Sequence, residues 1–600
     1  MSSSTGSSTL PLTGRFGRSE TRPPAAIADH ALAPLDHGAA MGAGLALLIA
    51  ALFGYEMYSF GRAIAGPFIF GDELEYFLYG HDLFVGADLS KHTQYGILYP
   101  ILLAISFAFG DSGGVYHEMR ALNVAVMASS VVPSFLLARA LLPGHGTAWL
   151  LLSVVAATSS FTALADMIWA DPLYFTLFQW LVFSLFLFYR RPRIATGCVT
   201  GVLLALLFHA KPGAGIVVEV AAFVSLVALL RDAAKPQVRW SLSGPVVALI
   251  LTCGALTVPW VVRNLSLGVG PIGYADHAQE LKSLVAVVGA SGVAKLIFWS
   301  SFYQLSYLLV ATWGLLGVLV IAFVRWKALP PAFRGLAVFL MACAVGLIAF
   351  LAFGMRSDRD YEYWMPFGRY LSVVSAAIVI FAVSLLGLDP PLRRREKSYL
   401  IIATSLLAVI AACATPLTAL GPRIIVDAPD LALAMTVIDH GRVIARHGYE
   451  APLLQRVGFA AFLACFGLLG ILAVNRRRAL VALLVLMLSG SLVVSVAEHR
   501  YMAMLGAAQS PTNEAIEFLR ERKADLEHAV GIDRELEQTS DIQGIADFWR
   551  TSRIPLRYVA ADALEQRRRE HDLEYFVSTK ILPLPVAFKA PGIYVYSLKS

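Results

Sequence analysis

Long apolar stretches separated by short polar, often basic, connections dominate the chain. A helix needs about 17–25 apolar residues to cross the hydrocarbon core of a bilayer. Runs of that length are expected at 41–63, 117–141, 147–166, 171–189, 194–209, 214–230, 242–262, 305–324, 335–354, 370–388, 398–418, 457–474 and 479–497, giving about thirteen transmembrane helices. The stretch from Tyr95 to Phe109 is mostly apolar but short, which suits an interfacial or re-entrant helix.

The polar connections carry a second regularity. Arg190-Arg191-Pro192-Arg193, Arg231 to Arg239, Arg325 to Arg334, Arg393-Arg394-Arg395 with Lys397, and Arg476-Arg477-Arg478 each follow an even-numbered span. Basic loops stay in the cytoplasm. The N-terminus is therefore expected inside, and the C-terminus after thirteen spans outside. The larger loops, 64–116, 263–304, 355–369 and 419–456, all fall on the outer side.

Beyond residue 497 the pattern becomes globular. Ser510-Pro511 reads as the start of a helix. Strands follow at Ala529 to Asp533, Leu556 to Ala560, Glu574 to Ser578 and Ile593 to Leu598, with helices at Asp541 to Arg550 and Ala561 to Glu570. That alternation predicts a small α/β domain over 498–600, outside the membrane. Residues 1–40, rich in Ser, Pro and Ala, read as a disordered cytoplasmic tail without a cleavable signal peptide. The transmembrane domain then spans 41–497.

Composition agrees with this reading. The chain is 57% hydrophobic and 15% charged, with mean hydropathy +0.66, whereas soluble proteins carry about 25% charged residues. The net charge of +6 resides in loop clusters rather than on one face, so nucleic acid is excluded as a partner. Cys198, Cys253, Cys343, Cys413 and Cys465 lie inside apolar runs and read as small core residues.

Candidate chemistry gathers at the outer ends of the spans. Gly71-Asp72-Glu73 follows the first span. Such a pair is either a general base at the edge of an apolar body or a solvated helix start, and taken alone the second is commoner. His92 in the same loop reads as a surface histidine or a proton carrier. Asp171, His209, Lys211, Arg263, Arg356 and Arg369 share that membrane face, and Glu56 and Glu219 lie within spans nearer to it. Each alone could be a helix-end anchor. Together, cations could stabilise a leaving phosphate and a carboxylate could accept a proton from an attacking hydroxyl.

In order, these motifs resemble the bacterial GT-C glycosyltransferases related to protein O-mannosyltransferases and to aminoarabinose (lipid A) transferases. The resemblance rests on Gly71-Asp72-Glu73, the Tyr/Pro-rich stretch from Tyr95 to Leu103, Arg120, Ala170-Asp171-Pro172-Leu173, His209-Ala210-Lys211-Pro212, Pro259-Trp260 through Arg263-Asn264, Gly368-Arg369-Tyr370-Leu371 and the terminal Ile593-Tyr594-Val595-Tyr596. Asp171 stands where that family has Glu, and Lys211 where it has Arg.

The resemblance implies a GT-C-like all-α polytopic membrane protein with a small C-terminal α/β domain, and inverting transfer of a sugar from a polyprenyl-phosphate donor to an extracytoplasmic glycolipid, polysaccharide or protein. Asp72 would be the general base and Glu73 would orient the acceptor or a metal. Lys211, Arg263, Arg356 and Arg369 would bind the donor phosphate, and His92, Tyr95, Asp171, His209 and Tyr370 the substrates. A divalent cation (Mg, Mn or Ca) is an open possibility, with Asp72 and Glu73 as its ligands. The chain is expected as a monomer in the bacterial cytoplasmic membrane, with its C-terminal domain periplasmic. The alternative is a transporter or flippase for a lipid-linked saccharide. It is disfavoured because no internal repeat is seen and the charges sit at one face rather than at midplane.

Overall fold

The structure is a computed structural model. It describes residues 37–62, 71–93, 95–109, 112–142, 146–158, 162–232, 236–272, 277–354, 368–387, 395–399, 401–402, 405–406, 476–522, 529–533, 556–560, 564, 566 and 573–598. Arg356 and most of the expected spans at 398–418 and 457–474 lie outside these residues.

The helices are α1 (His37–Gly61), α2 (Gly71–Val85), α3 (Leu98–Ser106), α4 (Ser112–Ser129), α5 (Val131–Leu141), α6 (Gly146–Thr158), α7 (Asp171–Arg190), α8 (Ile194–Ala210), α9 (Pro212–Asp232), α10 (Pro236–Ser266), α11 (His277–Ala311), α12 (Val318–Val324), α13 (Pro331–Gly354), α14 (Gly368–Gly387) and α15 (Arg476–Glu521). A 3₁₀ turn, Thr162–Asp166, precedes α7. Seven helices among the described residues are long and apolar enough to cross a membrane, with α4 and α5 forming one such span, Val115–Leu141.

Burial orders them. In α14, 94% of the apolar window is buried, against 22% in α1. Leu47, Leu48 and Leu52 of α1 are exposed, as a lipid-facing surface requires. The central helix α14 begins with Gly368-Arg369-Tyr370, so the hub of the bundle delivers the site's arginine.

Three expectations need correction. The outer loop assigned to 263–304 is largely helical, because α10 reaches Ser266 and α11 starts at His277. Leu281, Leu284, Val285 and Val288 repeat at helical spacing, but Gly289, with φ 73, kinks the helix and hides its continuity. The expected start of a helix at Ser510-Pro511 is also wrong. Helix α15 runs for 46 residues straight through Pro511, so the domain boundary at 497/498 falls inside one helix. Its far end buries Ala515, Ile516 and Leu519, which outweighs the lost backbone hydrogen bond. Third, Asp72 and Glu73 form the first turn of α2 rather than loop, where carboxylates favour the helix dipole.

The C-terminal domain has β1 (Ala529–Asp533), β2 (Leu556–Val559), β3 (Leu573–Ser578), β4 (Val586–Ala590) and β5 (Ile593–Ser597) in the order β2-β1-β3-β5-β4. Strand β1 pairs in parallel with β2 and β3, while β5 pairs antiparallel with β3 and β4. The four expected strands are present. Strand β4 was missed because it is a partly exposed edge behind Leu582-Pro583-Leu584-Pro585. Phe518 of α15 stacks on Phe588 of β4, seating the sheet on that helix. The expected helices at 541–550 and 561–570 lie outside the described residues, apart from Leu564 and Gln566.

Candidate active site

Local sequence holds each site residue at a helix end. The residue before proline is driven into extended conformation. Lys211 accordingly has φ −145 and ψ 91, ending α8 at Ala210, while Pro212 opens α9. That turn fixes Lys211 at a corner between two helices. Asp171 and Pro172 form the first turn of α7, where a proline is tolerated. Gly96 lies against the backbone carbonyl of His209, where a Cβ would have no room. The loop after α2 therefore packs on the Lys211 turn and aims Tyr95 back at α2.

These ends meet in one group. The Asp72 carboxylate lies 3.0 Å from the Arg369 guanidinium and accepts a 3.0 Å hydrogen bond from the Tyr95 hydroxyl. The Lys211 ammonium is 2.6 Å from Asp171 and 4.3 Å above the Tyr370 ring. Arg369 lies 5.4 Å from the same ring and 4.4 Å from that of Trp169. Tyr370 is thus common to two cations, each held over a ring face by charge–quadrupole attraction. Trp169 completes the group and was not singled out from sequence. Its signal was its place directly ahead of Ala170-Asp171-Pro172.

Lys211, Asp171 and Arg369 are buried, whereas the Asp72 side chain keeps 32% exposure. The carboxylate is therefore the part of the group a substrate can reach. Burial pushes its pKa up, but Arg369, Lys211 and the Tyr95 hydrogen bond outweigh that and hold it below the ordinary aspartate value. Burial, together with Arg369, lowers the pKa of the Lys211 amine, against the pull of Asp171.

Other expected site residues stand apart. Glu73 is fully buried, accepting hydrogen bonds from the Ile168 amide (2.9 Å) and the Tyr116 hydroxyl (3.4 Å). That geometry fastens α2 to α4 and to the segment before α7. His92 stacks on Tyr79 and meets Asp82 at 2.7 Å. Arg263 donates to the Leu89 carbonyl at 2.7 Å and lies 4.5 Å from the Trp260 ring. His209 Nε2 stands 3.0 Å from the Leu256 carbonyl oxygen, with its ring edge-on to Trp260. Tyr79, Phe208 and Trp260 form a small apolar cluster that Tyr95 joins to the main core. His92, His209 and Arg263 thus brace the outer segment beside the site. Glu219 accepts from Thr257 and Cys253 within the membrane region.

No cluster of three or more His, Cys, Asp or Glu side chains that could hold a metal occurs among the described residues. Asp72 and Glu73 are engaged with different partners, so the pair does not fit a shared cation.

No protein-family model and no curated protein sequence matches the chain. Among solved structures it is similar to ArnT from Cupriavidus metallidurans bound to undecaprenyl phosphate, with 14% identity, coverage of 93% of this chain and 98% of that one, and a TM-score of 0.50. The apo state of the same protein gives 16% identity, 93% and 98% coverage, and a TM-score of 0.48. The archaeal oligosaccharyltransferase AglB from Archaeoglobus fulgidus, in complex with an inhibitory peptide and a dolichol-phosphate, gives 14% identity, 89% and 69% coverage, and a TM-score of 0.43. The first likeness shows the fold: a GT-C multi-pass membrane bundle with a small C-terminal sheet domain.

Proposed function

We propose that this GT-C chain transfers a sugar from a polyprenyl-phosphate donor to an acceptor hydroxyl outside the cytoplasmic membrane, with inversion. The observation that carries the reading is the Asp72–Arg369 pair beside the Lys211–Asp171 pair, open to substrate at Asp72. The undecaprenyl phosphate in the first solved relative supports the class of donor.

On this reading the acceptor oxygen attacks the anomeric carbon on the face opposite the phosphate. The carbon–oxygen bond to phosphate breaks, and its electron pair leaves with the phosphate. Arg369 and Lys211 balance the charge that develops there. Asp72 takes the proton from the acceptor hydroxyl. Arg369 pairs with Asp72. A donor phosphate that engages Arg369 weakens that pairing and makes the carboxylate a better base. The basic connections support a cytoplasmic N-terminus and a C-terminal domain on the acceptor side.

Purified protein incubated with radiolabelled undecaprenyl-phosphate sugars and envelope acceptors tests this. Wild type transfers label, and Asp72→Asn transfers about 10²–10⁴-fold more slowly. Equal transfer by both proteins would remove Asp72 from the base role. Transport of the intact lipid without bond cleavage would favour a flippase.

A further inference from the structure

We infer that His499, Asp166 and Arg120 are positioning residues, forming a buried polar chain that ties α15 to the α2 turn carrying Asp72. This rests on the transferase reading above. They act through Glu73 and the segment 166–171.

The chain can be followed atom by atom. His499 of α15 lies with Nδ1 2.8 Å from Asp166 Oδ2. Asp166 Oδ1 is 3.6 Å from the Arg120 guanidinium of α4. Arg120 lies 5.8 Å from the Tyr116 ring, and the Tyr116 hydroxyl donates to Glu73. Phe60 at the end of α1 stacks on the His499 ring at 5.2 Å. Thr162 and Ser495, 3.0 Å apart, make a second tie between the 3₁₀ turn and α15. All five polar members are almost wholly enclosed: Glu73 0%, Tyr116 1%, Asp166 1%, His499 1% and Arg120 5% exposed. Burying polar groups is costly unless they are paired. The His499–Asp166 and Tyr116–Glu73 hydrogen bonds and the Arg120–Asp166 ion pair offset that cost and tie their elements together, while Asp166 Oδ1 and His499 Nε2 make no hydrogen bond among the described residues. Gly61 shows how tight the arrangement is, since a Cβ there would overlap both Arg120 and Asp166.

The segment 166–171 explains why this network bears on the chemistry. Asp166 receives His499 and Arg120. Two residues on, the Ile168 amide donates to Glu73. Trp169 underlies Arg369, and Asp171 pairs with Lys211. One short stretch therefore positions the neighbour of the base, the ring beneath one cation and the partner of the other. His499 sets that stretch from the helix that continues into the C-terminal domain. The α15 helix is thus in a position to transmit the seating of that domain to the site.

The test uses the full-length protein in detergent or nanodiscs. His499→Ala is expected to raise amide hydrogen exchange in 71–85 and 162–168 while leaving 331–354 unchanged. His499→Asn, whose amide nitrogen can take the place of Nδ1, is expected to restore protection. In the transfer assay His499→Ala lowers kcat at least tenfold with KM for the lipid donor within twofold, and His499→Asn recovers most of the rate. A double-mutant cycle with Glu73→Gln adds a check, because two members of one chain give strongly non-additive losses. The inference is overturned if exchange in 71–85 does not change, if it rises equally everywhere, or if His499→Asn behaves like His499→Ala. A wild type with no transfer activity would refute the transferase reading, while the exchange result would still decide this one.

Discussion

Arg369 is held by three different kinds of contact: an ion pair with Asp72, the face of Trp169 and the ring of Tyr370. On the proposed transferase reading, the same carboxylate that acts as base competes with a lipid phosphate for this guanidinium. Asp72→Asn is therefore expected to bind undecaprenyl phosphate several-fold more tightly than wild type in tryptophan-quenching or microscale binding measurements, while losing transfer. Weaker binding by the variant would show that Asp72 does not compete for Arg369. The sign of the pH dependence follows from the lowered pKa of Asp72. A carboxylate depressed on folding adds stability that is fully present above its unfolded value of about 3.9. That stability is lost as pH falls through the lower folded value. The Tm difference between wild type and Asp72→Asn should thus be constant from about pH 5 to 8 and shrink only in strong acid. Much of this group was legible in the sequence, because Asp72, Lys211, Asp171 and Arg369 are charges at span ends, where charge is costly. The division of labour between Asp72 and Glu73 was not. Successive helix positions point about 100° apart, and only the packed neighbours decide which carboxylate faces Arg369 and which faces Ile168.

At the scale of elements, the bundle depends on the fit of α14 to its neighbours. A Cβ on Gly368 would run into the Tyr307 ring of α11. Gly368→Ala is expected to force α11 and α14 apart at the residue next to Arg369, at about 1–3 kcal/mol, and to weaken lipid-phosphate binding. Unchanged Tm and affinity would mean that Tyr307 swings aside at no cost. The buried Lys211–Asp171 pair joins α7 to the corner between α8 and α9. Asp171→Ala strands a buried ammonium and should destabilise by about 3–5 kcal/mol in a denaturant titration. Long uniform spans such as α7, α13 and α14 were readable because they are apolar on every face. Helix α11 was not, since Gly289 interrupts its run. The continuity of α15 was masked because Pro511 normally marks a boundary. The link from Asp166 to His499 joins residues 333 positions apart, which no local pattern can reveal.

For the whole molecule, the GT-C fold organises a membrane bundle so that charged helix ends converge near α2 and α3. The proposed orientation, drawn from the basic connections, puts the opposite ends in the cytoplasm. Ser90→Cys, in the segment after α2, should react with a membrane-impermeant maleimide added to intact cells. Lys327→Cys, in the turn between α12 and α13, should react only after permeabilisation. The reverse labelling would invert the topology and put the site on the wrong side for the proposed acceptors. The central claim concerns what the two cations hold. A cryo-EM map of the full chain with undecaprenyl phosphate tests it most directly. The account predicts phosphate density in contact with Arg369 and Lys211, with Asp72 drawn away from the guanidinium. A phosphate bound elsewhere, with the Asp72–Arg369 pair intact, would contradict it.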